Sequence, residues 1–219
     1  MRSARAVVAG ITVVGVVLVA AIALLHRTSL AFTPGVVPAT SVVTLGAAQQ
    51  ACQQPVDVPG GGDFDRVTVV VGARGANPSP LRVTVRRADG RLLASGQVAG
   101  EYRARSERRV RLDRTVHPGR VSVCVANAGT GSTHVFGNAD AAARTSTAFR
   151  DGRPLHADLS FVFERAPRSL ASELPDILDR AALFRGPWVG PWVYVVLAAL
   201  LLVVVPWLLV RAVQAAERD

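Results

Sequence analysis

The chain is bracketed by two long runs without charge, and this constrains its folding more than any other feature. From Trp188 to Val210 no residue carries a charge, and Ala6 to Leu25 is a second such run, preceded by Arg2 and Arg5. About 20 apolar residues suffice to cross a bilayer core as a helix. The pattern therefore predicts two transmembrane helices. All three tryptophans, Trp188, Trp192 and Trp207, lie in or at the second run, and each follows a proline. Tryptophan prefers the membrane–water interface, so these three are expected to be interface anchors at the ends of a span. Arg2 and Arg5 flank one run, and Arg211 and Arg218 flank the other. The positive-inside rule then puts both termini in the cytoplasm and residues 28–187 outside a bacterial plasma membrane. The N-terminal run is longer than the apolar core of a usual signal peptide, which favours an uncleaved anchor.

The middle of the chain reads differently. Leu81–Arg87 (LRVTVRR) alternates apolar and polar residues, as a half-buried antiparallel strand does. Asp89-Gly90 supplies a hairpin turn after it. Phe64–Val71, Arg108–Asp113, Arg120–Asn127 and Ala157–Glu164 read as further strands, and Val42–Leu45 as the start of the sheet. Seven or eight short strands with turn signals between them predict a mainly β ectodomain, an antiparallel β-sandwich of immunoglobulin-like or jelly-roll type. The loop from 128 to 148 carries the least pattern.

The expected organisation is an N-terminal anchor over 1–27, a linker over 28–40, and the sandwich over 41–166. A juxtamembrane amphipathic helix over 167–187, a transmembrane helix over 188–211 and a short tail over 212–219 complete it. In the amphipathic segment, Leu170, Leu174, Ile177, Leu178 and Ala181 recur at helical spacing. Pro175 places the start of that helix just before it, with Ser172 as the cap. Its apolar face lies on the membrane surface or covers the sandwich.

Composition excludes several chemistries. Every one of the 25 basic residues is arginine, so there is no lysine for a phosphate loop, a Schiff base or a Ser-Lys dyad. The net charge of +9 comes without the basic–aromatic interleaving of nucleic-acid binders, and no nucleic-acid partner is expected. Cys52 and Cys124 both fall in the segment expected outside, where a disulfide between them is permitted. His117, His134 and His156 form no close pair with each other or with the cysteines, so no zinc site is expected. Asp57, Asp63 and Asp65 surround a Gly-Gly-Gly turn, but their spacing matches no calcium loop, and ordinary turn chemistry accounts for them. No catalytic signature and no cofactor motif is present.

The stretch 101–114 (EYRARSERRVRLDR) concentrates arginine. Arg103 and Arg105 share one strand face, and so do Arg109 and Arg111. With Tyr102 they form a candidate face for an anionic envelope polysaccharide or lipid head group. The plainer reading is a solvated sheet edge guarded by charge. Residues 174–192 (LPDILDRAALFRGPWVGPW) and the order of parts resemble uncharacterised two-span envelope proteins of GC-rich, Gram-positive-type bacteria. In these a sandwich ectodomain hangs between two membrane helices, and some are associated with cell-surface polysaccharide assembly. The resemblance supplies no catalytic residue. It implies a non-enzymatic accessory or scaffolding protein whose partners are membrane lipid, another membrane protein and, in the alternative reading, an envelope polysaccharide.

Overall fold

The computed structural model describes residues 2–73, 79–100, 102, 105–139, 148–182, 190 and 192–216. The chain is mainly β and divides into two units, Ser29–Ala166 and a helical unit made of Met1–Thr28 with Pro167–Asp219.

The β unit is built from two sheets. The strands are β1 (Arg27–Phe32), β2 (Thr40–Leu45), β3 (Gln50–Val58), β4 (Phe64–Gly72), β5 (Leu81–Arg87), β6 (Leu92–Val98) and β7 (Ser106–Val116). After these come β8 (Gly119–Asn127), β9 (Thr133–Asn138), β10 (Ala148–Arg150), β11 (Arg153–Pro154), β12 (Asp158–Leu159) and β13 (Phe161–Ser169). One sheet runs β1-β13-β4-β9-β12, with β2 also on β9 and β7 also on β4; the other runs β11-β10-β3-β8-β5-β6. Alternation in the sequence becomes alternation in burial. In β5, Leu81, Val83 and Val85 are fully buried while Arg82 and Arg86 point outward.

One core lies between the sheets. Val67, Val69 and Val71 of β4 meet Val83, Val85, Val123 and Val125 of the other sheet within it. At one end, Phe32 stacks on Phe163 with ring centroids 4.4 Å apart, and Phe64 packs edge-on against both. Polar groups also cross the core. The Gln53 amide on β3 donates to Asp158 Oδ1 at 2.8 Å and accepts from the Leu159 amide at 2.9 Å. At the β6–β7 border the two sheets approach so closely that a Cβ on Gly96 would fall onto the Arg111 carbonyl oxygen.

Several boundaries differ from the expectation. The strand expected over Ala157–Glu164 is interrupted at Ser160, whose amide donates to Phe136 O (3.1 Å) and whose hydroxyl donates to Val36 O (2.7 Å). β3 and β9 were not expected. The sequence of β3, QACQQPVDV, is poor in β-branched residues and carries Pro55, which has no amide to donate. The β3–β8 register shifts between Gln53 and Val56, and Pro55 lies in that shift.

In the helical unit, α1 spans Arg2–Leu25, α2 Leu170–Ala182, α3 Trp192–Ala199 and α4 Val205–Ala216, with a π-helical segment, Leu200–Val204, joining the last two. Among the described residues no helix is long and apolar enough to cross a membrane. This overturns the two expected transmembrane helices over 1–27 and 188–211. It also removes the basis for a plasma-membrane location with both termini in the cytoplasm and residues 28–187 outside. The C-terminal apolar run is divided by its own proline. Pro206 has no amide to return to the preceding turn, and that turn widens, with the Val205 amide bonding Leu200 O five residues back.

α2 also departs from its expected start. It begins at Leu170, and Pro175 lies inside it. Ser169 rather than Ser172 caps it, its hydroxyl oxygen accepting from the Ser172 amide at 3.3 Å. Its apolar face is only partly covered: Leu170, Leu178 and Ala181 are half-buried, Leu174 and Ile177 are exposed, and Glu173 is buried.

Candidate functional site

Of the residues expected to form an anionic-ligand face, Arg109 and Arg111 share the exposed face of β7, and Tyr102 is not on it. Arg103 lies outside the described residues. Tyr102 is completely buried, and its hydroxyl bonds Ser79 O and Thr133 Oγ1, each at 2.7 Å. Burial pushes the phenol above its ordinary value, against the opposing pull of Thr133 and Arg108. No ligand reaches it. Arg105 precedes β7, donates to Pro38 O and lies 5.4 Å from the centre of the Phe136 ring. Arg109 is on β7, and its Nη2 donates to Glu164 Oε1 of β13 at 2.9 Å. Arg111 stands opposite Arg66 of β4. On this sheet, then, two of the arginines already have protein partners.

The three aspartates behave likewise. Asp57 pairs with Arg120 at 2.9 Å, Asp63 with His117 at 3.4 Å and Asp65 with Arg66 at 3.5 Å. Among the described residues no three potential ligands gather as a metal site would require. Trp188 lies outside the described residues. Trp192 opens α3, and Trp207 lies beneath the Arg211 guanidinium, 4.2 Å from its ring centre. Both are about half exposed, at 60% and 50%. His134 faces Thr44 directly across β2 and β9, with Nδ1 2.8 Å from Thr44 Oγ1, while its Nε2 has no partner among the described residues.

The most structured surface is on the other sheet. Cys52 and Cys124 are joined, and they occupy directly opposed positions on β3 and β8. Phe149 of β10 pairs with Cys52, and Thr84 of β5 pairs with Cys124. A row Phe149–Cys52–Cys124–Thr84 thus crosses four strands. Val121, Val123 and Val125 of β8 are buried in the core, so the cysteine between them belongs to the outer face. Strand alternation accounts for this, since Cys124 falls out of step with the three valines.

Over this bridge lies an open cavity of about 650 Å³, lined by both cysteines, Phe149, Pro55 and the side of Arg86, Arg87 and Arg120. A second cavity of about 480 Å³ shares Arg87, Ala88, Arg120 and Val121 with it and adds Arg114 and His117. The two cavities thus border one another along Arg87 and Arg120, and the pair is called the groove below. No acidic side chain lines either part among the described residues. Arg86 Nη1 donates to Gly90 O at 3.0 Å across the β5–β6 turn. Arg120 donates to Asp57 from Nε, which leaves its terminal nitrogens for other partners, and that bond raises its pKa further. The signal in the sequence is Arg86-Arg87 at the end of β5 together with Arg120 at the start of β8. It is intelligible only once β5 and β8 are known to be neighbours.

No family model matches the chain, and no curated protein matches it. Among solved structures, a glycoside hydrolase family 43 arabinoxylan arabinofuranohydrolase from Bacillus subtilis, in complex with cellotetraose, is 18% identical over 51% of this chain and 26% of its own, with a TM-score of 0.34. The arabinose-bound MgGH51 α-L-arabinofuranosidase is 16% identical over 70% of this chain and 26% of its own, with a TM-score of 0.30. The chain thus spans about a quarter of each. At these scores neither likeness bears on fold or activity.

Proposed function

We propose that the chain is a non-enzymatic accessory protein whose helical unit docks on a partner protein and whose two-sheet domain is presented beside it. The observation that carries this reading is the apolar surface of the helical unit. Ile11, Val14 and Val17 of α1, Leu174 and Ile177 of α2, and Val196 of α3 are all more than 40% exposed. Apolar side chains spread over successive helices mark an interaction surface, since leaving them in water forfeits about 25 cal/mol for each Å².

The geometry of the histidines supports the non-catalytic part. A histidine that activates a hydroxyl is itself oriented by a third group on its other nitrogen. His134 meets Thr44, but its Nε2 has no such partner among the described residues. His117 is exposed in a turn and paired with Asp63.

Leu174→Asp combined with Ile177→Asp tests the reading. The double variant is expected to lose stoichiometric co-purification with a discrete second protein while the two-sheet domain melts at an unchanged temperature. Co-purification unaffected by the pair of substitutions contradicts it.

A further inference from the structure

We infer that the groove over the Cys52–Cys124 bridge binds a carboxylate-bearing saccharide chain, held by Arg87 and Arg120 where its two cavities join. This goes beyond the accessory role and does not depend on it, because it concerns a different unit of the chain.

Charge is the first argument. Arg86, Arg87, Arg114 and Arg120 line the groove without an acidic side chain among the described lining residues. Arginine's planar fork matches a carboxylate through two parallel hydrogen bonds. Arg87 and Arg120 line both cavities, so they reach an anion lying across the junction.

The backbone then selects among anionic chains. An acidic peptide ordinarily gains affinity by adding a strand to a free sheet edge. Here β3 lies between β10 and β8, β8 between β3 and β5, and β5 between β8 and β6. The strands under the groove have both edges paired, and recognition falls to side chains. Gln50, Gln54 and Ser122 supply amide and hydroxyl groups suited to sugar hydroxyls, and Phe149 with Pro55 supplies an apolar face suited to a sugar ring. Size agrees. The two parts, about 650 and 480 Å³, fall in the range of small-molecule sites, and their shared border suits a chain of several sugar units.

Calorimetric titration of the full-length protein with tetragalacturonate, its methyl ester and inorganic phosphate tests the assignment. The wild-type protein is expected to bind tetragalacturonate, less tightly as salt is raised, and to bind the methyl ester at least about tenfold more weakly. Arg87→Gln, at an exposed residue, is expected to weaken tetragalacturonate binding about tenfold by itself. Arg120→Gln should do the same, with its melting temperature recorded because it also breaks the Asp57 pair. Arg111→Gln, on the other sheet, should leave binding unchanged. Equal affinity for the acid and its methyl ester overturns the inference. So does binding that Arg87→Gln leaves intact, no binding at all, or phosphate bound as tightly as the saccharide, which would mark a phosphate site.

Discussion

Cys52 and Cys124 sit directly opposite one another on neighbouring strands of one sheet, with Cα atoms 3.9 Å apart. The bridge therefore ties β3 to β8 and leaves the joining of the two sheets to the core and to polar contacts such as Gln53 with Asp158. It closes a separation of 72 residues. On the chain-entropy account, losing it costs about 4 kcal/mol. Cys52→Ala with Cys124→Ala is expected to lower the free energy of unfolding by up to that amount while both sheets persist in far-ultraviolet circular dichroism. Loss of the β signal would show that the bridge holds the architecture itself.

Tyr102 is a structural residue. Tyr102→Phe removes the buried hydroxyl that satisfies Ser79 O and Thr133 Oγ1, and it should destabilise the protein by about 1–3 kcal/mol. The pH dependence has a definite sign. Burial raises the folded-state pKa above the ordinary 10.0, so this stability is complete below pH 10 and declines as pH rises through the folded value. The phenylalanine variant should lack that alkaline decline. Equilibrium denaturation at neutral and alkaline pH measures both effects.

Gln53 is the buried polar link between β3 and β12. Gln53→Leu keeps much of the side chain's volume but strands the Asp158 carboxylate contact and the Leu159 amide. A loss of about 1–3 kcal/mol is expected, readable from the midpoint of urea unfolding. A neutral substitution would mean that water replaces the amide without cost.

Asp113 fastens β7 to β6. Its Oδ1 accepts from the Ser95 amide at 2.7 Å and its Oδ2 meets the Ser95 hydroxyl at 3.3 Å. The backbone bond, more than any other contact, holds its pKa below the ordinary 3.8. The contribution is therefore present above that value and is lost as pH falls through the lower folded-state value. Asp113→Asn should flatten this part of an acid titration of stability. An unchanged acid profile would contradict the role.

Gly96 marks a close approach of the two sheets. Any Cβ there meets the Arg111 carbonyl and a Val110 methyl group. Gly96→Ala should therefore cost about 1–3 kcal/mol as β6 and β7 move apart, whereas Gly90→Ala, in an open turn at φ +87, acts through backbone strain alone. The two melting temperatures compare these causes.

What could be read from the sequence follows from what local pattern contains. β5 begins and ends at Leu81 and Arg87 as expected, because strict alternation and an Asp-Gly turn define it without reference to any neighbour. β9 hides its alternation, with Thr133, Val135 and Gly137 buried in turn, because a glycine serves where an apolar residue is looked for. Gly137 is required there by the Asp158 carbonyl against its Cα, a contact between residues far apart in the chain. The arginines of 101–114 look like one face in the sequence, yet Tyr102 turns inward and Arg109 finds Glu164 two strands away. The groove over the bridge was illegible for the converse reason: Arg87 and Arg120 become neighbours only through the pairing of β5 with β8. The apolar runs at the two ends are present as read, but Pro206 and the widened turn before it divide the second into shorter elements.

The accessory role rests on the exposed apolar residues of the helical unit, and photo-crosslinking from one of them on α2 tests it most directly. A photoreactive residue at Ile177 in the full-length chain, with a control at Arg82 on the two-sheet domain, is irradiated in the cells that make the protein. The account predicts one discrete heterologous protein crosslinked from position 177 and not from position 82. No crosslink from 177, or crosslinks only to a second copy of this chain, would contradict it.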